Sequence, residues 1–230
     1  MKKNYILALL LGTIFLTGCQ DTLTDSDTGY LYLSDITVQI EDKELLPTRG
    51  LMEDLSLTLE LWQGETLQKT LTEEDLQNKL KISTGAYTLK AYSSNYLTYG
   101  DWTNDDKGEP VYYTEVPFVI EADKTNVVKV ELGMITFGVR LELPEGFSDY
   151  FPQHAFTATV GNRTVALDQG ETAYFPYTED ALIEYTLEAT NTDGEEMSAK
   201  KSYSAGLKPN TLYIVTYDFG TKSVVSLSTL

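Results

Sequence analysis

The chain has 230 residues, 17 Lys and Arg against 35 Asp and Glu, one Cys and one His, for a formal charge of -18. So acidic a chain lacks the concentrated basic patch of a phosphate-binding face, which excludes nucleic acid as a partner, and one thiol with one imidazole can build neither a disulfide framework nor a Cys/His zinc cage. A hydrophobic fraction of 42% and an aromatic fraction of 11% belong to a chain that folds, with length enough for one large or two small cores.

The chain opens Met1-Lys2-Lys3, followed by an apolar run from Tyr5 to Leu16 and then Thr17-Gly18-Cys19. That run is too short for the roughly 20 residues that span a bilayer and suits a secretory signal. Small residues directly before a cysteine match the bacterial lipobox, in which residues 1–18 are removed and Cys19 is acylated as the new N-terminus. Cleavage takes Lys2 and Lys3 with it, so no cationic face is left to bind a membrane and the acyl chains must supply the anchor. Residues 19–28 are polar and Asp-rich and read as a tether. Asp21, Asp25 and Asp27 resemble the surface-export signal of Bacteroidetes lipoproteins, and Asp21-Thr22-Leu23 resembles a short O-glycosylation motif of that phylum. These features predict a lipid-anchored outer-membrane protein exposed at the cell surface, with a solvated tether facing the periplasm as the alternative.

From Tyr30 onward, apolar residues recur with period two, the spacing of strands with one buried face. Tyr30 to Ile40 alternate as a first strand, and Lys43 to Gly50, with Pro47 and Arg49, form an exposed connection. Leu55, Leu57, Leu59 and Leu61 alternate with polar residues. Thr72 to Leu80 has the pattern of a short helix, with Thr72 as capping-box N-cap and acids in the first turn. Tyr87, Leu89 and Ala91 follow, then Phe118 to Ile120, Val128 to Leu132, and Ile135, Phe137, Val139, Leu141 and Leu143. In the second half the runs are Phe156 to Val160, Val165 to Leu167, Ile183 to Ala189, Leu212 to Phe219 and Val224 to Leu230. Gly161-Asn162, Asp193-Gly194 and Gly220-Thr221 fall between apolar runs and predict hairpins.

Evenly spaced short strands with almost no helix predict an all-β chain of antiparallel sandwiches. Roughly 13 to 15 strands suggest two tandem sandwiches of about 100 residues each. The expected organisation is a signal peptide at 1–18, a tether at 19–28, an N-terminal β-sandwich at 29–133 and a C-terminal one at 134–230, packed against each other through a short link.

The run Gly85-Ala-Tyr-Thr-Leu-Lys-Ala-Tyr, the segment Glu109-Pro-Val-Tyr-Tyr-Thr-Glu-Val-Pro-Phe-Val-Ile, the strand Asn126-Val-Val-Lys-Val-Glu-Leu and the late Leu207-Lys-Pro-Asn-Thr-Leu-Tyr together resemble the DUF4493 family of Bacteroides lipoproteins, within the wider fimbrillin-like set. The resemblance implies tandem sandwiches of transthyretin-like or immunoglobulin-like topology, a lipobox anchor, and fimbrial or adhesin-like surface roles. Expected partners are fimbrial subunits or host and bacterial surface proteins, with a surface glycan as the alternative. In fimbrillin-like subunits that polymerise, cleavage after an arginine in this neighbourhood removes the first strand, and the groove left accepts a strand from the next subunit. Thr48-Arg49-Gly50 resembles such a site; an ordinary hairpin loop is the competing reading. The long acidic loop from Ser93 to Gly108 departs from the family pattern.

No reactive constellation emerges, so the chain is read as a non-enzyme with no cofactor and no metal. His154 is the lone imidazole and no Gly-x-Ser-x-Gly elbow accompanies it. The pairs Glu73-Glu74, Asp105-Asp106 and Glu195-Glu196 are adjacent acids that point apart rather than across a cleft. Asp101, Asn104, Asp105 and Asp106 supply oxygen ligands without the order of a calcium loop. The aromatic density around Tyr87, Tyr92, Tyr96, Tyr99, Trp102, Tyr112 and Tyr113 is of more interest. Tyr96, Tyr99 and Trp102 are a candidate surface for protein or sugar contacts; the competing reading is that half of these aromatic residues alternate into the core of the first sandwich.

Overall fold

The computed structural model describes residues 27–40, 43–47, 56–220 and 223–229. The chain is all-β, as its alternation predicts. Strands β1 (Thr28–Ile40), β2 (Lys43–Pro47), β3 (Thr58–Gln63) and β4 (Thr66–Thr70) precede a short helix α1 (Glu73–Gln77). Strands β5 (Leu80–Ser83), β6 (Gly85–Tyr92), β7 (Tyr112–Ile120) and β8 (Thr125–Met134) complete the first half. Together they form an eight-stranded sheet in the order β2-β1-β8-β7-β6-β3-β4, with β5 also paired to β1. Alternate residues point inward: Leu57, Leu59 and Leu61 are buried, as are Leu31, Leu89, Val130 and Leu132. They form one core cluster with Met134.

Ile135 alone separates β8 from β9 (Thr136–Glu142). A one-turn helix α2 (Phe147–Tyr150) leads to β10 (Gln153–Val160), β11 (Arg163–Ala166), β12 (Thr172–Pro176), β13 (Ile183–Thr190), β14 (Glu196–Tyr203), β15 (Leu212–Asp218) and β16 (Ser223–Thr229). These make two four-stranded sheets, β11-β10-β13-β14 and β12-β9-β15-β16. Phe137, Phe175 and Tyr213 from one sheet and Phe156, Ile183 and Leu187 from the other share a second core cluster. Aromatic edge-to-face contact of Phe137 with Tyr213 (5.8 Å) fixes their packing.

Two features differ from the sequence expectations. The sheets are not purely antiparallel: β1 runs parallel to β8 from Tyr30 beside Thr125 to Val38 beside Leu132, and β9 runs parallel to β15. Period-two patterning reports which face is buried and is blind to strand direction, which long-range pairing decides. The helix also ends at Gln77 rather than near Leu80. Asn78 is extended, and Leu80 and Ile82 belong to β5, which joins the sheet edge of β1. Pairing there outweighs a last helical turn without a buried face.

The helix start is as expected. Thr72 Oγ1 accepts from the Asp75 amide (3.3 Å) while the Thr72 amide donates to Asp75 Oδ2 (2.9 Å), a reciprocal capping box. The expected hairpins form too. Val160 pairs with Arg163 across Gly161-Asn162, and Gly161 takes φ +59, which a two-residue turn with glycine first requires.

Candidate functional site

The loop from Ser93 to Val111 leaves β6 and returns to β7, and its two ends are tied together. Ser93 N donates to Tyr112 O (3.1 Å), and Tyr112 N donates to Ser93 Oγ (3.0 Å). Two short 3-10 turns, Ser94–Leu97 and Tyr99–Asp101, carry the aromatic residues. Tyr96 stacks on Tyr113 at 4.4 Å and meets Tyr99 at 5.9 Å, and Tyr99 meets the Trp102 ring nearly edge-on at 6.1 Å and 77°. Tyr96, Tyr99 and Trp102 are therefore joined in one chain of ring contacts, each half-buried. At its foot, Tyr92 donates from its hydroxyl to Glu60 Oε1 (2.9 Å), and burial, then that carboxylate, push its hydroxyl up to about 12. Burial and the hydrogen bond to Glu115 likewise raise Tyr113.

Beyond Trp102 the loop crosses to the second half and lies along the open side between its two sheets, whose end strands there are β11 and β12. Asp105 N donates to Thr164 O of β11 (3.0 Å), and Thr164 N donates to Asn104 Oδ1 (2.9 Å). Tyr174 N of β12 donates to Lys107 O (2.7 Å). Strand edges that would otherwise present unpaired groups are covered in this way. The ion pair of Lys107 with Glu171 adds to the seam.

Arg163 sits inside this seam. It is 8% exposed, and its Nη2 donates to Asp106 O (2.8 Å) and Tyr174 O (2.6 Å), clamping loop to strand. Its guanidinium carbon lies 5.0 Å from the Trp102 ring centre and 4.4 Å from that of Phe175, so the cation is held between two aromatic faces. Nε and Nη1 have no hydrogen-bond partner among the described residues. Burial pulls Arg163 below the usual guanidinium range, offset in part by the nearby Asp106 charge.

Beside the seam opens a cleft of about 480 Å³, walled by Tyr99 and Trp102 on the loop side and reaching Thr159, Arg163, Asp180 and Glu184 on the other. Its size is that of a small-molecule or single-residue site. Sequence reasoning singled out Tyr99 and Trp102 but passed over Arg163, Asp180 and Glu184. For Arg163 a signal was there: Arg163, Val165 and Leu167 alternate onto one face, and an arginine in register with two core residues needs an internal role.

The other sequence candidates are placed as follows. His154 is partly buried, its Nδ1 3.1 Å from Phe151 O and its ring edge-on to Phe147. Asp106 accepts from the Thr103 amide and hydroxyl (both 2.7 Å), which holds its carboxyl below the usual range, and the Asn104 carbonyl faces Thr164. The side-chain oxygens of Asp106 and Asn104 are thus turned to the protein's own donors, and no group of three His, Cys, Asp or Glu residues placed to hold a metal occurs among the described residues. Glu195 accepts from Asn191 within a turn, and Glu73 and Glu74 open α1. Cys19 and Arg49 lie outside the described residues.

The architecture is that of an all-β protein with two cores and a bridging aromatic loop. Over residues 26–229 the chain matches the model of a domain of unknown function, DUF4493, and it belongs to that family. No curated protein matches it in sequence. It is similar to a fimbrial assembly protein from Parabacteroides distasonis (TM-score 0.47, 12% identity, covering 87% of this chain and 98% of that one). It is also similar to a candidate adhesin from Bacteroides ovatus (TM-score 0.44, 10% identity, 88% and 93%). A candidate polysaccharide-binding protein from Bacteroides thetaiotaomicron is a third likeness (TM-score 0.44, 9% identity, 82% and 91%).

Proposed function

We propose that this is a lipid-anchored, surface-displayed structural or adhesion protein of the fimbrillin-like kind, built as tandem β-sandwiches and acting through protein–protein contacts. The observation that carries this reading is the placement of β1. It follows directly on the Asp-rich tether, pairs with β8 on one side and with β5 and β2 on the other, and puts Leu31, Leu33 and Val38 into the first core. A terminal segment so placed can be exchanged as a unit: its loss would bare the β8 edge and an apolar groove that a strand from another copy would fill. Arg49, shortly after β2, is the cleavage point this scheme requires.

An arginine-specific protease applied to the folded protein tests it. The expected result is a first cut at Arg49, loss of residues 20–49 and assembly of the trimmed protein into multimers on unboiled gels. A cut protein that keeps its first strands and stays monomeric would remove polymerisation and leave an accessory, tip or anchor component. A second reading, a glycan-binding lipoprotein of a polysaccharide-uptake system, is favoured by one feature, the cleft walled by Tyr99 and Trp102.

A further inference from the structure

We infer that the cleft between the aromatic loop and strands β10 to β13 is a binding site for a neutral, hydroxyl-rich sugar residue. The inference rests on the second reading above and gives it a place and a ligand chemistry. Tyr99 and Trp102 meet at 77° and so form a corner of two ring walls, one of which can take the C–H face of a pyranose. The same cleft is lined by Asp180 and the half-buried Glu184, carboxylates able to accept from hydroxyl groups, Glu184 also facing Lys200 Nζ at 3.9 Å, and by Thr159.

Charge selects the class of ligand. An anionic sugar is opposed by Asp180, by Glu184 and by a chain of net charge -18. A cationic ligand, such as a lysine or arginine side chain, is attracted by those carboxylates but repelled at the aromatic wall by Arg163. That guanidinium already lies against Trp102, its hydrogen-bond acceptors Asp106 O and Tyr174 O are backbone carbonyls, and no carboxylate forms an ion pair with it among the described residues. A ligand carrying many hydroxyls and no charge meets neither penalty, and its hydroxyls serve both as donors to the carboxylates and as acceptors from the neutral side chains.

The test uses the full chain, purified in a zwitterionic detergent that carries no sugar, on an array of neutral and acidic oligosaccharides and basic peptides. The expected result is saturable binding of one or more neutral glycans. Trp102→Ala and Asp180→Asn should each weaken it by about tenfold or more, the loss typical of a central anchor. Asp180 is exposed, so Asp180→Asn should leave the melting temperature unchanged and keeps the test valid should Trp102→Ala loosen the loop. Tyr150→Ala, which removes an exposed ring outside the cleft, should bind as the parent does. Neutral-glycan binding that survives both cleft substitutions would overturn the site while leaving the glycan reading standing. Retention of acidic glycans alone would overturn the neutral ligand while leaving the glycan reading standing, and retention of basic peptides alone, or of nothing, would overturn both.

Discussion

At the scale of single residues, alternation decides most of what each side chain does. Leu57 is 8% exposed between Ser56 and Thr58, and Leu59 and Leu61 follow it inward. Leu57→Asp would place an unpaired carboxylate in that core and should cost about 3–5 kcal/mol. A denaturant midpoint close to that of the parent would show that the strand packs otherwise. The capping box makes a finer case. Thr72→Ala should cost about 1 kcal/mol, read from chemical denaturation. The hydrogen bond from Lys69 (2.6 Å), then the Thr72 amide, hold the Asp75 carboxyl below the usual carboxylate range. Its folded-state affinity for protons is therefore lower than in the unfolded chain, so its contribution is complete above the unfolded value of about 3.9 and is lost as pH falls through the folded one. Asp75→Asn should lower the melting temperature at neutral pH, and its difference from the parent should close in acid. A difference that stays constant into strong acid would mean that the charge of Asp75 adds nothing.

At the scale of elements, the loop from Ser93 to Val111 acts as a strap across two strand edges, and Arg163 is its buckle. Arg163→Ala leaves Asp106 O and Tyr174 O without their donor and opens a void between Trp102 and Phe175. The expected cost is about 2–4 kcal/mol. Hydrogen exchange should quicken at the amides of Asp105 and Tyr174, which the strap protects, more than at β13 and β14; uniform loosening would argue against a local strap. Gly108 supplies an independent test. It has φ +66, and a Cβ there would stand 2.9 Å from the Trp102 ring, so Gly108→Ala combines left-handed strain with a clash against the aromatic wall. It should destabilise by about 1–3 kcal/mol and shift the emission of Trp102.

At the scale of the whole molecule, the expected membrane anchor and the described fold meet at Thr28. Eight residues lie between Cys19 and Thr28, and at about 3.5 Å each they reach at most about 30 Å, which would hold β1 close to a membrane. Cys19→Ser should release the protein from the membrane fraction, and retention would remove the acyl anchor. Protease added to intact cells should trim the parent protein, whereas full protection would place it in the periplasm.

Much of this could be read from residue order, for physical reasons that differ by feature. Burial of one strand face leaves a period of two in the sequence, and caps and tight turns are satisfied within a few residues, so Leu57 to Leu61, Thr72 and Gly161 announced their roles. The aromatic residues of the loop were legible as a group because Tyr96, Tyr99 and Trp102 are close in sequence. Strand direction was not legible, because the parallel pairing of β1 with β8 joins residues some ninety positions apart and leaves no local mark. Nor was the cleft, since Trp102 on the loop, Arg163 on β11 and Asp180 before β13 meet only once the strap has closed over the second core. Local hydrogen bonding and the burial of alternate side chains are encoded along the chain, whereas the site arises from contacts between segments whose meeting depends on how both cores pack.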